Sequence, residues 1–323
     1  MKSSNIGGQA VMEGIMMRHK DKYSIAVRRP DNEIELKVED YKCVFGNAKF
    51  LKYPLIRGVV SFVDSLVVGT KCLMYSAEIA GDEEDEEDKQ KNAALSEEEL
   101  AAKKAKEDKQ FKWLLYVTVA VSIVVSVAAF MLLPYALASL CRRVGASEFA
   151  VTIVEAFVKL ALFMGYMLLI SRMKDIQRTF MYHGAEHKCI NCVEHGLDLN
   201  VENVKKSSRF HKRCGTSFLF LVVFISILFF ACIRTDSAIW RFSLRILLVP
   251  VIAGVAYEFL RLAGRSENAF VNLLSKPGLW FQKFTTKEPD EDMIEVAIAS
   301  VEAVFDWKPY VEKVRGEGAA EAD

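Results

Sequence analysis

The chain has 323 residues, 52% of them hydrophobic and 26% charged, with 42 Lys+Arg against 42 Asp+Glu. Four long apolar runs between Trp113 and Leu262 exclude a wholly soluble globular protein. The zero net charge hides an asymmetry: residues 81–110 carry 12 acidic and 6 basic side chains, which leaves the remainder at +6. A mild basic excess of this kind suits a membrane surface better than a nucleic-acid groove, and no nucleic-acid partner is expected. Seven scattered cysteines argue against a disulfide framework and for reduced thiols.

In chain order, Tyr23 to Val38 alternates around a turn-like Pro30-Asp31-Asn32 and predicts a β-hairpin. In the next segment, Leu55 to Glu78, Arg57, Asp64, Lys71 and Glu78 fall seven apart among apolar residues. On a helix that spacing gives one charged stripe. A helix lying in the headgroup region is the favoured reading, and a polar-striped helix inside a bundle is the alternative. Residues 81–110 read as a charged, disordered linker that could become helical in its second half.

The first apolar run, Trp113 to Leu140, is uncharged over 28 residues, and Pro134 marks its far end or a kink. The second, Phe149 to Ile170, contains Glu155 and Lys159, spaced as a helical ion pair. The third, Gly215 to Ile233, is uncharged. The fourth, Phe242 to Leu262, contains Arg245, Pro250, Glu258 and Arg261. Nine basic residues between Ser171 and Cys214 place that connection, and both termini, in the cytoplasm. After Pro289, the stripe Ile294, Ala297/Ile298, Val301, Val304/Phe305 predicts a cytosolic helix.

The fold class is therefore mainly α: a polytopic membrane protein with four transmembrane helices and a small cytosolic N-terminal α+β region. The expected divisions are an N-terminal region at 1–80 and a linker at 81–110. A membrane domain at 111–265 would carry a cytosolic loop at 172–214, and a C-terminal helical region would follow at 266–323.

Four of the five histidines lie within 29 residues: His183, His187, His195 and His211. On a helix, His183 and His187 stand one turn apart and can share a metal ion, with Glu186 beside them as general base. HxxEH is the inverted order of the zincin motif. A solvated helix leaving the membrane explains the same spacing without chemistry. A third ligand is needed, with His211 first, then Cys214, then Glu258. A rival set, Cys189-x-x-Cys192 with His211-x-x-Cys214, has the spacing of a closed structural zinc site.

At these residues the chain resembles a known family. Gly7 to Arg18, Ile56 to Val60, Tyr182 to Lys188, Ser208 to His211, Arg213 to Phe218, Ile252 to Gly254 with Tyr257-Glu258, and Phe284 to Asp290 resemble the YqhQ-like bacterial membrane proteins. Together these blocks span nearly the whole chain. The resemblance implies a bacterial inner-membrane protein and a leaning towards metal-dependent enzymes, and it supplies no substrate. In that family's pattern positions 189 and 192 are not characteristically cysteine, which favours the His/Glu set over the sulfur set. It also draws attention to Gln9, Glu13 and Arg18, beside a glycine pair that lets the backbone approach something closely. Substrate or metal contact there stands against a tight turn that merely docks the N-terminus.

The reading at this point is a zinc-dependent hydrolase acting on a membrane-associated substrate at the cytoplasmic face. His183, His187 and His211 would be the ligands, Glu186 the base, and Cys214, Glu258, Gln9, Glu13 and Arg18 further ligands or pocket. The alternatives are a non-enzymatic membrane scaffold with a structural metal and a small transporter using Glu155, Lys159 and Glu258.

Overall fold

A computed structural model describes residues 3–46, 48–81, 97–233, 235, 237–266 and 268–320. The N-terminus forms four antiparallel strands in meander order: β1 (Gly7–Val11), β2 (Gly14–His19), β3 (Lys22–Arg28) and β4 (Ile34–Asp40). The hairpin read at Tyr23 to Val38 is β3–β4, with Tyr23 opposite Glu39 and Val27 opposite Glu35. Two strands precede it. The glycine-rich block read as a tight turn is strand β1, and only Met12-Glu13 turn, with Glu13 left-handed at φ 47°. Gly14 opens β2 because a Cβ there would lie 2.3 Å from the Ala26 carbonyl oxygen.

Eleven α-helices follow among the described residues: α1 (Ile56–Ala80), α2 (Glu97–Val127), α3 (Leu133–Arg143), α4 (Glu148–Ile170), α5 (Lys174–Glu194), α6 (Val201–Lys206), α7 (Gly215–Ala231), α8 (Ala238–Ala263), α9 (Ala269–Thr285), α10 (Glu291–Val304) and α11 (Trp307–Ala320). The first half of the acidic linker lies outside the described residues, and its second half is the start of α2.

The chain divides into two units, 1–81 with 167–323, and 82–166. The second unit holds α2, α3 and most of α4. Between α2 and α3 a wide π turn spans Ala128–Leu132. Pro134 has no N–H to bond the carbonyl four residues back, so the helix widens there and continues to Arg143. Glu155 and Lys159 stand one turn apart on α4.

In the first unit the sheet is covered on both faces. Ile15, Met17 and Ala26 pack with Tyr182, Ala185 and Ile190 of α5 and Ile294, Ala297 and Val301 of α10. The stripe predicted after Pro289 is thus the buried face of α10. Ser300 ties it down, donating to the Ile15 carbonyl at 3.1 Å while its own carbonyl accepts from Ser24 Oγ at 2.6 Å. On the other face, Val11, Met16, Tyr23, Ile25 and Val27 pack with Cys72 of α1.

Among the described residues four stretches are long and apolar enough to cross a membrane: Ile56–Ala80, Tyr116–Arg143, Glu148–Ile170 and Ile239–Ala263. The third apolar run forms α7 of 17 residues, at the short end of the roughly 17–25 that cross a bilayer. Helix α1, read first as lying in the headgroup region, also has spanning length and composition.

Of the four charges on the α1 stripe, Arg57 and Asp64 are engaged by protein, while Lys71 and Glu78 are exposed. Arg57 pairs with Glu258 of α8, with Nε 2.6 Å from Oε1. Asp64 is buried and accepts from the Tyr41 hydroxyl at 2.5 Å and the Val44 N–H at 2.9 Å. Lys71 reaches Glu39 at 3.3 Å. The residues it turns inward are small: Gly58, Gly69, Cys72 and Ser76. Phe62, Leu66, Val67, Leu73 and Met74 face outward.

Helices α1 and α8 cross at two glycines. A Cβ on Gly58 would lie 2.8 Å from Tyr257 Cβ, and one on Gly254 would lie 2.9 Å from the Leu55 carbonyl oxygen. Overpacking such a contact costs about 1–3 kcal/mol. Gly58→Leu should lower the melting temperature of detergent-purified protein by several degrees. Gly165→Ala, where a Cβ meets open space, should leave it unchanged.

Candidate metal centre

The site is assembled on α5. Three of its residues, His183, Glu186 and His187, lie on one face at i, i+3 and i+4. Each imidazole is oriented by a backbone carbonyl. His183 Nδ1–H donates to Thr285 O at 2.8 Å, and His187 Nδ1–H donates to Arg209 O at 2.7 Å. A carbonyl can only accept, so both rings carry a proton on Nδ1 and leave Nε2 to other partners. Cys214 stands beside them, with Sγ 3.2 Å from His183 Nε2. One ligand atom from each of His183, His187 and Cys214 lies within 4.8 Å of the others, and they form the one such group among the described residues.

The carbonyls are positioned by two segments folded onto α5. Residues 285–287 cross it at Gly184, where a Cβ would lie 2.0 Å from the Lys287 carbonyl oxygen. Glycine at this place in HGAEH is therefore a condition for the Thr285–His183 bond. Residues 207–211 are fastened by the two residue positions that flank the histidine face. Lys188 Nζ donates to Lys205 O and Ser207 O, both at 2.9 Å, and pairs with Glu288 at 2.9 Å. Asn191 Nδ2 donates to Ser208 O at 2.6 Å and Phe210 O at 3.0 Å. Gln282 of α9, fully buried, accepts from the His211 N–H at 2.9 Å and donates to His211 O at 2.7 Å. Of these, Lys188 and Asn191 were visible in sequence only as helical neighbours of His187. Gln282 carried no signal.

Cys214 caps the N-terminus of α7, and its sulfur accepts from the Thr216 N–H at 3.4 Å. Burial alone would raise its thiol, but the two adjacent imidazoles outweigh burial and hold it well below the ordinary thiol range. Burial would lower His183. The Cys214 charge overcomes this and raises it to about 9. Glu186 is raised by burial. Its carboxylate packs on Gly8 of β1, where a Cβ would lie 2.9 Å from its carboxyl carbon. Glu186 Oε2 is buried with no hydrogen-bond partner, an orphaned acceptor beside three ligand atoms.

The other sequence candidates are elsewhere. His211, expected as third ligand, stacks near His187 with centroids 5.7 Å apart, but its Nε2 faces Glu194 at 3.5 Å. Cys214, three residues on, stands with His183 and His187 instead. Glu258 is engaged by Arg57, and Glu13 by Arg178 and the Tyr182 hydroxyl. Gln9 fills the space left by Gly69, where a Cβ would lie 2.2 Å from its Oε1, and Arg18 lies 3.2 Å over the Tyr41 ring. Cys189 and Cys192 are buried in the core with Tyr182 and Met293, and burial raises both thiols, Cys192 to about 11. They do not join Cys214, so the closed Cys3His set is not formed.

Behind the site, Glu194 accepts from the Ser4 N–H and Oγ, both at 2.7 Å, and pairs with Arg213. Burial would raise this carboxyl. His211 and Arg213 outweigh it and hold it at about 2. A depressed carboxyl stabilises the fold above its unfolded value of about 4.3, and the stabilisation is lost as pH falls towards 2. Glu194→Gln should flatten the pH dependence of stability between pH 5 and 2 and cost about 2 kcal/mol at pH 7. That is less than for a fully buried pair, because Arg213 keeps 20% of its side-chain exposure. Denaturant melts across this pH range would measure both effects.

The profile of the DUF1385 family, described as proteins of unknown function, matches residues 53–307. The chain is 36% identical over 307 residues to the uncharacterized protein YqhQ of Bacillus subtilis (strain 168), covering 91% of this chain and 90% of that one. No solved structure matches the chain. The match extends over the histidine helix, the Cys214 turn and the α1–α8 crossing alike, and the chain belongs to the DUF1385, or YqhQ-like, family.

Proposed function

We propose that this protein is a metal-dependent hydrolase of the bacterial inner membrane, multi-pass, with both termini in the cytoplasm and its site at the cytoplasmic face. The observation that carries the reading is the convergence of His183 Nε2, His187 Nε2 and Cys214 Sγ within 4.8 Å beside the unpartnered Oε2 of Glu186. Two imidazoles and a thiolate suit a borderline-soft divalent ion, zinc above all. Both imidazoles have the second-sphere carbonyl partner typical of metal ligands. Three protein ligands leave a coordination position open, as catalytic sites require.

A divalent ion held there would supply the positive charge that makes water acidic at neutral pH. The chain's own part is Glu186, whose raised carboxyl suits a group that takes a proton from water and returns it to the leaving group. Gly8 lets the strand lie close enough to hold that carboxylate in place. The membrane placement is supported by the inside-out character of α1 and by the basic 171–214 segment. The site adjoins the first turn of α7, an apolar helix, so a lipid-anchored or membrane-associated substrate is the class it would meet.

A structural metal in a non-enzymatic scaffold is the second reading, favoured by the near-complete burial of His187 and Cys214. Glu186 separates the two. Elemental analysis of protein purified without chelator should give about one zinc per chain, lost in His183→Ala/His187→Ala and in Cys214→Ala. Glu186→Gln should keep the metal and the fold and lose turnover of any ester, amide or phosphoester that the wild type hydrolyses in a screen. Zinc retained in Cys214→Ala, or full turnover in Glu186→Gln, would contradict the assignment of that residue.

A further inference from the structure

Helix α9 has a surface that neither the fold nor the site uses. Its inner face holds Ser275, Gly278, Phe281, Gln282 and Thr285, all buried. Its outer face shows Phe270 at 66% exposure, Leu273 at 57%, Leu274 at 44% and Trp280 at 48%. Along the edge of that apolar face run Lys276 and Lys283, both exposed, and the helix contains no acidic residue.

Its direction is informative. The contacts that fasten α9 run from Gly278 to Thr285, yet on α7 they fall on the first turns alone. Ser217 Oγ donates to Gly278 O at 3.1 Å, and Gln282 Nε2 donates to Ser217 Oγ at 2.8 Å. Phe281 stacks on Phe220 with centroids 5.5 Å apart, and Thr285 Oγ1 meets Thr216 Oγ1 at 3.0 Å. At its start, Asn272 accepts from Lys212, just before α7, at 2.9 Å. Helix α9 therefore lies across the entrance of α7 rather than alongside it, and it begins six residues after the end of α8.

We infer that α9 is an interfacial helix, seated lengthwise in the headgroup region of an anionic leaflet. A helix placed across the end of apolar helices, with aromatic and leucine side chains outward and lysines at the margin, has the pattern of one that lies in the plane of the bilayer. Lysines near the surface attract acidic lipids. The inference extends the membrane reading above and rests on it, while the metal chemistry is not involved. It has a consequence for the site: the same helix supplies Gln282 and Thr285, which hold His211 and His183. Lipid contact on one face of α9 is thereby joined to ligand orientation on the other.

The test uses full-length protein in nanodiscs, with one tryptophan of the four retained. In Trp113→Phe/Trp240→Phe/Trp307→Phe, Trp280 should be shielded from iodide. Lipids brominated near the headgroup should quench it at least twice as strongly as lipids brominated deep in the chain. Nanodiscs rich in phosphatidylglycerol should shield it more than pure phosphatidylcholine, and Lys276→Gln/Lys283→Gln should remove that difference. Free access of iodide to Trp280, or stronger quenching from deep bromine, would overturn the interfacial placement. Equal shielding in both lipids would overturn the anionic preference. A companion variant retaining only Trp240, on α8, reports bilayer insertion itself. If Trp240 is lipid-quenched and Trp280 is not, this inference fails alone. If neither is quenched, the membrane reading fails with it. Should the tryptophan variants not fold, headgroup-diazirine lipids on the unmodified chain must leave adducts between residues 269 and 284. Adducts on α8 without any on α9 would overturn the inference.

Discussion

Two hydrogen bonds organise the centre of this protein: the Nδ1–H of His183 to the Thr285 carbonyl, and that of His187 to the Arg209 carbonyl. Each fixes a proton on Nδ1, a ring plane and the direction of Nε2. Neither carbonyl is near its histidine in sequence. Thr285 arrives at the end of α9 and Arg209 in the turn before α7, so the site exists only once both segments are folded onto α5. Lys188, Asn191, Gln282 and Gly184 serve that one purpose. They use three side chains and one missing side chain to hold irregular backbone at fixed height over a helix. Glu194, with Ser4 and Arg213, fastens the N-terminal segment to the same end, and β1 then brings Gly8 against Glu186.

The second constraint is solvent. A helix with Arg57, Asp64 and Lys71 on one stripe invites the reading that charge faces water. Here Asp64 is buried, Arg57 is half-buried against Glu258, Lys71 keeps most of its exposure, and the bulky apolar residues face outward. Under the proposed membrane placement the medium offers no hydrogen bonds, so polar groups would find partners inside and leucines would need no cover. The two helix-crossing glycines, Gly58 and Gly254, fit the same logic, since close backbone approach is the main source of attraction left between such helices. Helix α9 joins the two constraints, with an exposed apolar face on one side and site-building contacts on the other.

Much of this was legible in the chain, and the limits have physical causes. Spacing alone put His183, Glu186 and His187 on one helical face, since α-helical geometry is local. The β3–β4 hairpin and the buried stripe of α10 were readable for the same reason. Strands β1 and β2 were not, because glycines and methionines carry little alternation and their pairing is settled by Gly14 fitting under Ala26. Whether His211 or Cys214 stands beside His183 and His187 depends on the path of a turn, which residue type cannot disclose. Gln282 directs that turn from 71 positions away. Glu258 looked like a candidate ligand because an intramembrane carboxylate usually has a function. Its partner, Arg57, lies about 200 positions away on α1, a pairing that spacing cannot show.

The central claim is that two imidazoles and one thiolate share an ion. A zinc K-edge X-ray absorption spectrum of the purified protein addresses it most directly. The account predicts one sulfur scatterer at about 2.3 Å and two imidazole nitrogens at about 2.0 Å, with the remaining position filled by a light atom. A shell of three or four sulfurs, or one without sulfur, would contradict it.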